Sequence, residues 1–196
     1  MKLHQRNLSM AKENTFIRVY NNAIDLDYCD SLIEKFESHS EQYEKIDIKY
    51  VKEVMCFHEL HLWKYMDTWK EDIDKLATVF TQYVEEYKSE FSMHCFPKKY
   101  GFEPFKMKRY LPNEKDEFGW HVDVRRFKNI RRFLAMFIYL SDNEEGKTEF
   151  DYQDVITDCA KGRMVIFPPM WPWLHRGTKP IKTPKYFMGG YLHYIE

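Results

Sequence analysis

The stretch FGWHVDVRRF (118–127) sets a histidine and an aspartate two residues apart, His121 and Asp123, in a run of otherwise strand-forming character. On a strand, residues i and i+2 project from one face. An imidazole and a carboxylate side by side are either a hydrogen-bonded couple or two thirds of a metal site. A third ligand is offered by His175 in PPMWPWLHRGTKP, which follows the apolar run GRMVIFP. Two imidazoles and one carboxylate on one side of a metal leave the remaining positions open, an arrangement suited to non-haem Fe(II) oxygen chemistry. Structural zinc would call for four protein ligands, usually with cysteine. The four cysteines here (Cys29, Cys56, Cys95, Cys159) are scattered, with no CxxC pair.

Such a site needs strands to hold it. FIRVYNNAI (16–24) has strand character and ends in an Asn pair, a turn signal. In DLDYCDSLIEKFESH (25–39), Leu26, Cys29, Leu32, Ile33 and Phe36 recur at helical spacing behind Asp25, a plausible N-cap. DTWKEDIDKLATVFTQYVEEYKSEF (67–91) predicts a longer helix, with Trp69, Ile73, Leu76, Phe80, Tyr83, Val84 and Tyr87 on one face. Residues 1–14 read as a polar lead-in, and 46–66 is ambiguous, with room for a short strand. From about residue 104, short β-prone runs alternate with Asn, Asp, Gly and Pro clusters, the texture of a sandwich or barrel. The expectation is helices packed outside a β core.

The chain has 196 residues, 44% of them hydrophobic, enough for one domain with a sizeable core, and a formal net charge of -1. No global charge draws it to nucleic acid or a membrane surface. No run approaches the roughly 20 apolar residues that span a bilayer, and no signal peptide is evident, so a cytoplasmic location with reduced thiols is expected.

The C-terminal half resembles the prolyl 4-hydroxylase-like branch of the 2-oxoglutarate/Fe(II)-dependent dioxygenases. The motifs occur in that family's order: Tyr110 on a strand, the HxD of His121 and Asp123, an apolar strand, Gly146-Lys147-Thr148-Glu149-Phe150, the run Gly162 to Phe167, the distal His175, and Lys185 ten residues later. FIRVYNNAIDLDYCDSLIEKFE resembles the family's opening strand and helix, while 40–100 matches loosely. The resemblance implies a mainly β fold with supporting helices, a double-stranded β-helix (jelly-roll, cupin-like) core, and one domain over 1–196. Its N-terminal strand and helices would occupy 15–100 and its catalytic core 103–196.

The resemblance further implies Fe(II) on His121, Asp123 and His175, with 2-oxoglutarate and O2 as reactants and ascorbate as a candidate accessory. The distal carboxylate of 2-oxoglutarate needs a buried cation and hydroxyl donors: Lys185, Tyr110 and Thr148. Lys179 and Lys182 are weaker contenders. Tyr191 falls where the family often has a tryptophan near the cosubstrate. The long LPNEKDEFG loop is expected to rim the substrate entrance. The implied reaction hydroxylates a C–H bond, on peptidyl or free proline, as 2-oxoglutarate becomes succinate. Other amino acids, small metabolites or nucleobases remain alternatives, as does a non-catalytic jelly-roll binding protein. No membrane partner is expected.

Other histidines read as structural. His58 and His61 in FHELHLW are three apart, not the four of a zincin. His94 reads as a loop residue, and His193 as a core or surface residue on the final strand. Trp120 should face away from His121. The Trp171/Trp173 loop either walls a substrate site or braces His175. Arg125, Arg126, Arg131 and Arg132 in VRRFKNIRRF either draw an anionic substrate, nucleic acid included, or form a solvated hairpin.

Overall fold

A computed structural model describes residues 15–50 and 53–196 of the chain; the lead-in 1–14 lies outside the described residues. The elements are β1 (Arg18–Tyr20), α1 (Leu26–Ser38), β2 (Tyr43–Tyr50), β3 (Glu53–His61), α2 (Met66–Glu90), β4 (Tyr100–Phe102), β5 (Lys106–Tyr110), β6 (Glu117–His121), β7 (Arg132–Tyr139), β8 (Asn143–Phe150), β9 (Val155–Cys159), β10 (Met164–Phe167), β11 (His175–Gly177) and β12 (Lys185–Tyr194). The strands form one sheet in the order β1-β10-β7-β12-β5-β3-β6-β11-β8-β9, with β2 added on β3 and β4 on β12. It curls into a nearly closed antiparallel barrel, the mainly β jelly-roll core with supporting helices that the resemblance implied.

Alternation along the central strands shows why both sheet faces are apolar. On β7, Leu134, Met136 and Ile138 join the core beneath the helices, while Ala135 and Tyr139 face the barrel interior. On β10, Met164 and Ile166 face the helices, and Val165 and Phe167 the interior. On β12, Tyr186, Met188 and Leu192 belong to the outer core, with Phe187 and Tyr191 packed on the inner one. The period of two thus serves two cores at once.

The helices form where the spacing predicts, except that Leu26, at the start of the α1 stripe, is 46% exposed. Asp25 caps α1, its carboxylate accepting from the Tyr28 backbone N–H at 2.9 Å. The α1 face buries Cys29, Leu32 and Phe36, and α2 buries Trp69, Ile73, Leu76, Phe80, Val84 and Tyr87. The first strand is shorter than its β-prone run, Arg18–Tyr20.

Between the helices, 46–66 holds more than one short strand. β2 and β3 pair in a long hairpin, and β3 inserts between β5 and β6. Charges interleaved with Ile46, Ile48, Met55 and Phe57 hide this hairpin in the sequence. Of the LPNEKDEFG stretch after β5, Phe118 lines the cavity and its mouth as expected, whereas residues 111–117 do not. Asp116 is buried and draws the loop back, accepting from the Leu111 backbone N–H (3.0 Å), Asn113 (3.0 Å) and Lys45 (2.6 Å). No helix among the described residues is long and apolar enough to cross a membrane.

Candidate metal centre and its cavity

His121 ends β6, and His175 begins β11 directly opposite it in the antiparallel register. Asp123 lies past the end of the strand, which stops at His121, so regular strand geometry does not place it. Its backbone is pinned instead: its N–H donates to the Pro169 carbonyl (3.0 Å), and its carbonyl accepts from the Asn129 side chain. The Pro-rich loop before β11 thereby sets the carboxylate against both imidazoles. Asp123 Oδ1 is 3.7 Å from His121 Nε2, and Oδ2 is 3.6 Å from His175 Nε2. One ligand atom from each residue lies within 4.8 Å of the others, all three residues are buried, and no other such trio occurs among the described residues.

The donor set fits a divalent metal. His121 Nδ1 donates to the Gly119 carbonyl (2.8 Å) and His175 Nδ1 to that of Trp173 (2.9 Å), which leaves both Nε2 lone pairs facing the gap. Burial, helped by the neighbouring His121, pushes the His175 imidazole down to about 4, so it is neutral and able to ligate. Burial alone would raise Asp123, but His175, His121 and the Tyr191 hydroxyl outweigh it and hold the carboxyl well below the usual range. Tyr191 donates to Asp123 Oδ1 at 2.6 Å. The Arg132 guanidinium caps the Tyr191 ring at 3.9 Å and is itself held by Glu103 through a bidentate pair (2.7 and 2.8 Å).

The gap opens into the barrel interior, in a cavity lined by Tyr110, Phe118, Thr148, Phe187 and Lys185. Lys185 is 2% exposed, and no carboxylate pairs with it among the described residues. Its ammonium sits 5.4 Å from the Tyr139 ring centroid and 5.6 Å from that of Tyr110. Burial pushes it down to about 8. Gly146 is required beside it, because a Cβ there would fall 2.8 Å from Lys185 Cδ. Tyr139 was not singled out in the sequence. It is buried, and its hydroxyl donates to Thr148 Oγ1 at 2.6 Å, leaving the threonine's own proton for another acceptor. Its inward position on β7 was the available signal.

The contenders fall away for local reasons. Lys179 pairs with Glu117 (3.5 Å) and Lys182 with Glu144 (3.0 Å), both outside the cavity. His61 contacts Glu59 (2.9 Å), His94 is exposed, and His193 lies 3.9 Å from Glu103. Trp120 faces away from the metal gap, beneath the Arg176 guanidinium. Of the two readings of the Trp loop, bracing has contacts behind it, and Trp171 lines neither the cavity nor its mouth. Trp173 braces the site through its carbonyl to His175 and its indole N–H to the Thr15 carbonyl (2.8 Å), while Trp171 is 76% exposed. Of the arginines in 124–133, Arg125, Arg126 and Arg132 line the outer mouth and Arg131 does not.

Residues 105–193, which carry the triad and Lys185, match the sequence profile of the 2OG-Fe(II) oxygenase superfamily. This segment is a 2OG-Fe(II) oxygenase domain. No curated protein matches the chain by sequence. Solved oxygenases share the fold. A viral collagen prolyl hydroxylase from Paramecium Bursaria Chlorella virus-1, in complex with 2OG, is 18% identical with a TM-score of 0.67, covering 94% of this chain and 98% of its own. A Trichoplax adhaerens prolyl hydroxylase, in complex with a hypoxia inducible factor oxygen degradation domain peptide fragment, is 12% identical (TM-score 0.71; 96% and 91% covered). The non-heme alpha ketoglutarate dependent epimerase SnoN from nogalamycin biosynthesis is 11% identical (TM-score 0.66; 95% and 81% covered). Membership implies Fe(II), 2-oxoglutarate and O2 as the oxygenase's requirements.

Proposed function

We propose that the protein hydroxylates a substrate C–H bond in the manner of a prolyl 4-hydroxylase, on peptidyl or free proline, converting 2-oxoglutarate to succinate, with 1–196 acting as one domain. One observation carries this reading: the three converging ligand atoms line the same cavity as Lys185, a buried lysine with no carboxylate partner among the described residues. His121, Asp123 and His175 would hold Fe(II), which supplies O2 activation coupled to cosubstrate decarboxylation. The chain's own groups do the rest. Lys185 pairs with the distal carboxylate of 2-oxoglutarate, with the Thr148 and Tyr110 hydroxyls as donors beside it. Tyr110 stacks on Phe187 (5.8 Å between centroids), walling the cosubstrate end against water. Tyr191 orients Asp123 rather than the cosubstrate. Prolyl hydroxylases among the structural neighbours support the proline preference, whereas the epimerase is a reminder that this fold serves more than one reaction.

Anaerobic titration with Fe(II) and 2-oxoglutarate, followed by visible absorption, tests the site. A charge-transfer band that needs both additions is expected. Bound iron without such a band would favour the non-catalytic binding reading. Proline-containing peptides and free proline are then compared by succinate release with ascorbate present. Removing the Tyr191 hydroxyl gives a second check. Tyr191→Phe is expected to weaken metal binding by roughly 10-fold, at the lower end for an outer partner of a ligand, in a competition titration against a metal chelator. Unchanged affinity would return Tyr191 to a cosubstrate role.

A further inference from the structure

The inward face of β5 carries three polar residues in succession, Lys106, Lys108 and Tyr110, all lining the cavity. Inward positions on the other central strands are largely apolar or aromatic. A lysine inside a barrel is costly unless something compensates it. Lys106 is compensated: its ammonium lies 2.8 Å from Glu59 Oε1. Lys108 is compensated less closely. Its side chain is only 13% exposed, and its single carboxylate contact among the described residues is Glu59 Oε2 at 3.5 Å, while the other oxygen of that carboxylate already serves Lys106 and His61. The rest of its surroundings are aromatic, with the centroids of Phe57, Phe118 and Phe187 at 4.4, 4.9 and 5.5 Å.

Position makes this ammonium a recognition group. Lys108 lines both the inner cavity and the outer mouth, as do Phe118, His121, Asp123 and Tyr191, so it stands where the two join, beside the metal gap. Its charge is felt at His175 and at Lys185. Charge balance agrees. A divalent metal and dianionic 2-oxoglutarate cancel, as do Lys185 and Asp123, and Arg132 and Glu103. Glu59 then faces two lysines, and one positive charge is left over. The mouth beyond also carries Arg126 and Lys128.

We infer that Lys108 is a specificity-determining residue that seats a carboxylate of the substrate beside the metal centre. Resting on the reading proposed above, this narrows the substrate to a carboxylic acid: either an amino acid reacting with its own α-carboxylate free, or a peptide with an acidic side chain next to the reacting residue.

The test uses the full chain loaded with Mn(II) and 2-oxoglutarate, with binding measured by calorimetry. Two matched pairs separate the sources: L-proline against L-prolinamide, and acetyl-Asp-Pro-amide against acetyl-Asn-Pro-amide. A single-stranded oligonucleotide is the third arm. The acid of at least one pair is expected to bind at least about tenfold tighter than its amide, as for a charge paired in a desolvated pocket. Lys108→Met, similar in volume, should erase that preference while leaving 2-oxoglutarate affinity within about twofold, and Lys108→Arg should keep it. The proposal is overturned if neither pair shows a preference in the wild type, if the preference survives in Lys108→Met, or if only the oligonucleotide binds and Lys108→Met leaves that binding unchanged. Failure of the metal-site reading would look different, because wild-type protein with Mn(II) would then not bind 2-oxoglutarate at all.

Discussion

Asp123→Ala and His175→Ala are each expected to lower 2-oxoglutarate consumption to below about one hundredth of wild type, with the barrel still folded. The loss should exceed the 10–100-fold typical of removing a mere outer partner of a ligand. Each variant removes one of three donor atoms that lie within 4.8 Å of one another. Neither residue belongs to the hydrophobic clusters that hold the sheet to the helices or fill the barrel. Asp123→Ala also strands the Tyr191 hydroxyl, whose acceptor is Asp123 Oδ1, so a modest fall in thermal stability accompanies it. Steady-state turnover with circular dichroism as the folding control decides the matter. Wild-type turnover in either variant would dissolve the triad.

Lys185→Met is expected to act in opposite directions on cosubstrate binding and on stability. Affinity for 2-oxoglutarate should fall by about 30-fold or more, the consequence of removing one partner of a desolvated charge pair (2–5 kcal/mol), with metal affinity little changed. The ligand-free protein should become more stable. Burial lowers the Lys185 ammonium from its ordinary 10.5 to about 8. The folded chain therefore holds this proton less tightly than the unfolded chain. At pH 7 both are protonated and the folded state bears the whole penalty, on the order of 3 kcal/mol. Between about pH 8 and 10.5 the folded state loses the proton before the unfolded state does. Wild-type stability should accordingly gain on that of the variant as pH rises through this window, and the advantage of Lys185→Met should vanish above it. Binding runs the other way. 2-Oxoglutarate selects the charged lysine, so its affinity for wild type weakens as pH rises past about 8. Urea unfolding at pH 7 and pH 10, with calorimetric titration of 2-oxoglutarate at both, checks all three signs. A variant less stable than wild type at pH 7 would mean that another group compensates the buried ammonium.

The charged inward face of β5 was within reach of a reading by alternation alone, since KMKRY sets Lys106, Lys108 and Tyr110 on one side. What alternation could not say is which side is the barrel interior, because Met107 and Arg109 lie on the other side of the same strand. That choice is made by β3, whose Glu59 comes opposite Lys108 in the register. β3 was poorly legible because its hairpin carries charges on both strands and lacks an Asn-Gly or Asp-Gly turn.

Residue types in the sequence pointed to the proposed metal ligands, the HxD pair and His175, and the family resemblance added Lys185 ten residues on, Tyr110 and Thr148. The sequence carries this order. It also determined the helix faces, because the 3.6-residue spacing of Leu32 and Phe36, or of Ile73, Leu76 and Phe80, admits one buried stripe. These are local properties, written in residue type and period. Only the tertiary structure decided that Asp123 reaches the histidines from beyond the end of its strand, held by the Pro169 carbonyl and the Asn129 side chain. It alone turned Tyr191 to Asp123, drew residues 111–117 away from the mouth through buried Asp116, and stood Lys108 at the junction of cavity and entrance. Each of these depends on a partner from a distant part of the chain, and register across a closed sheet is set by all its strands together.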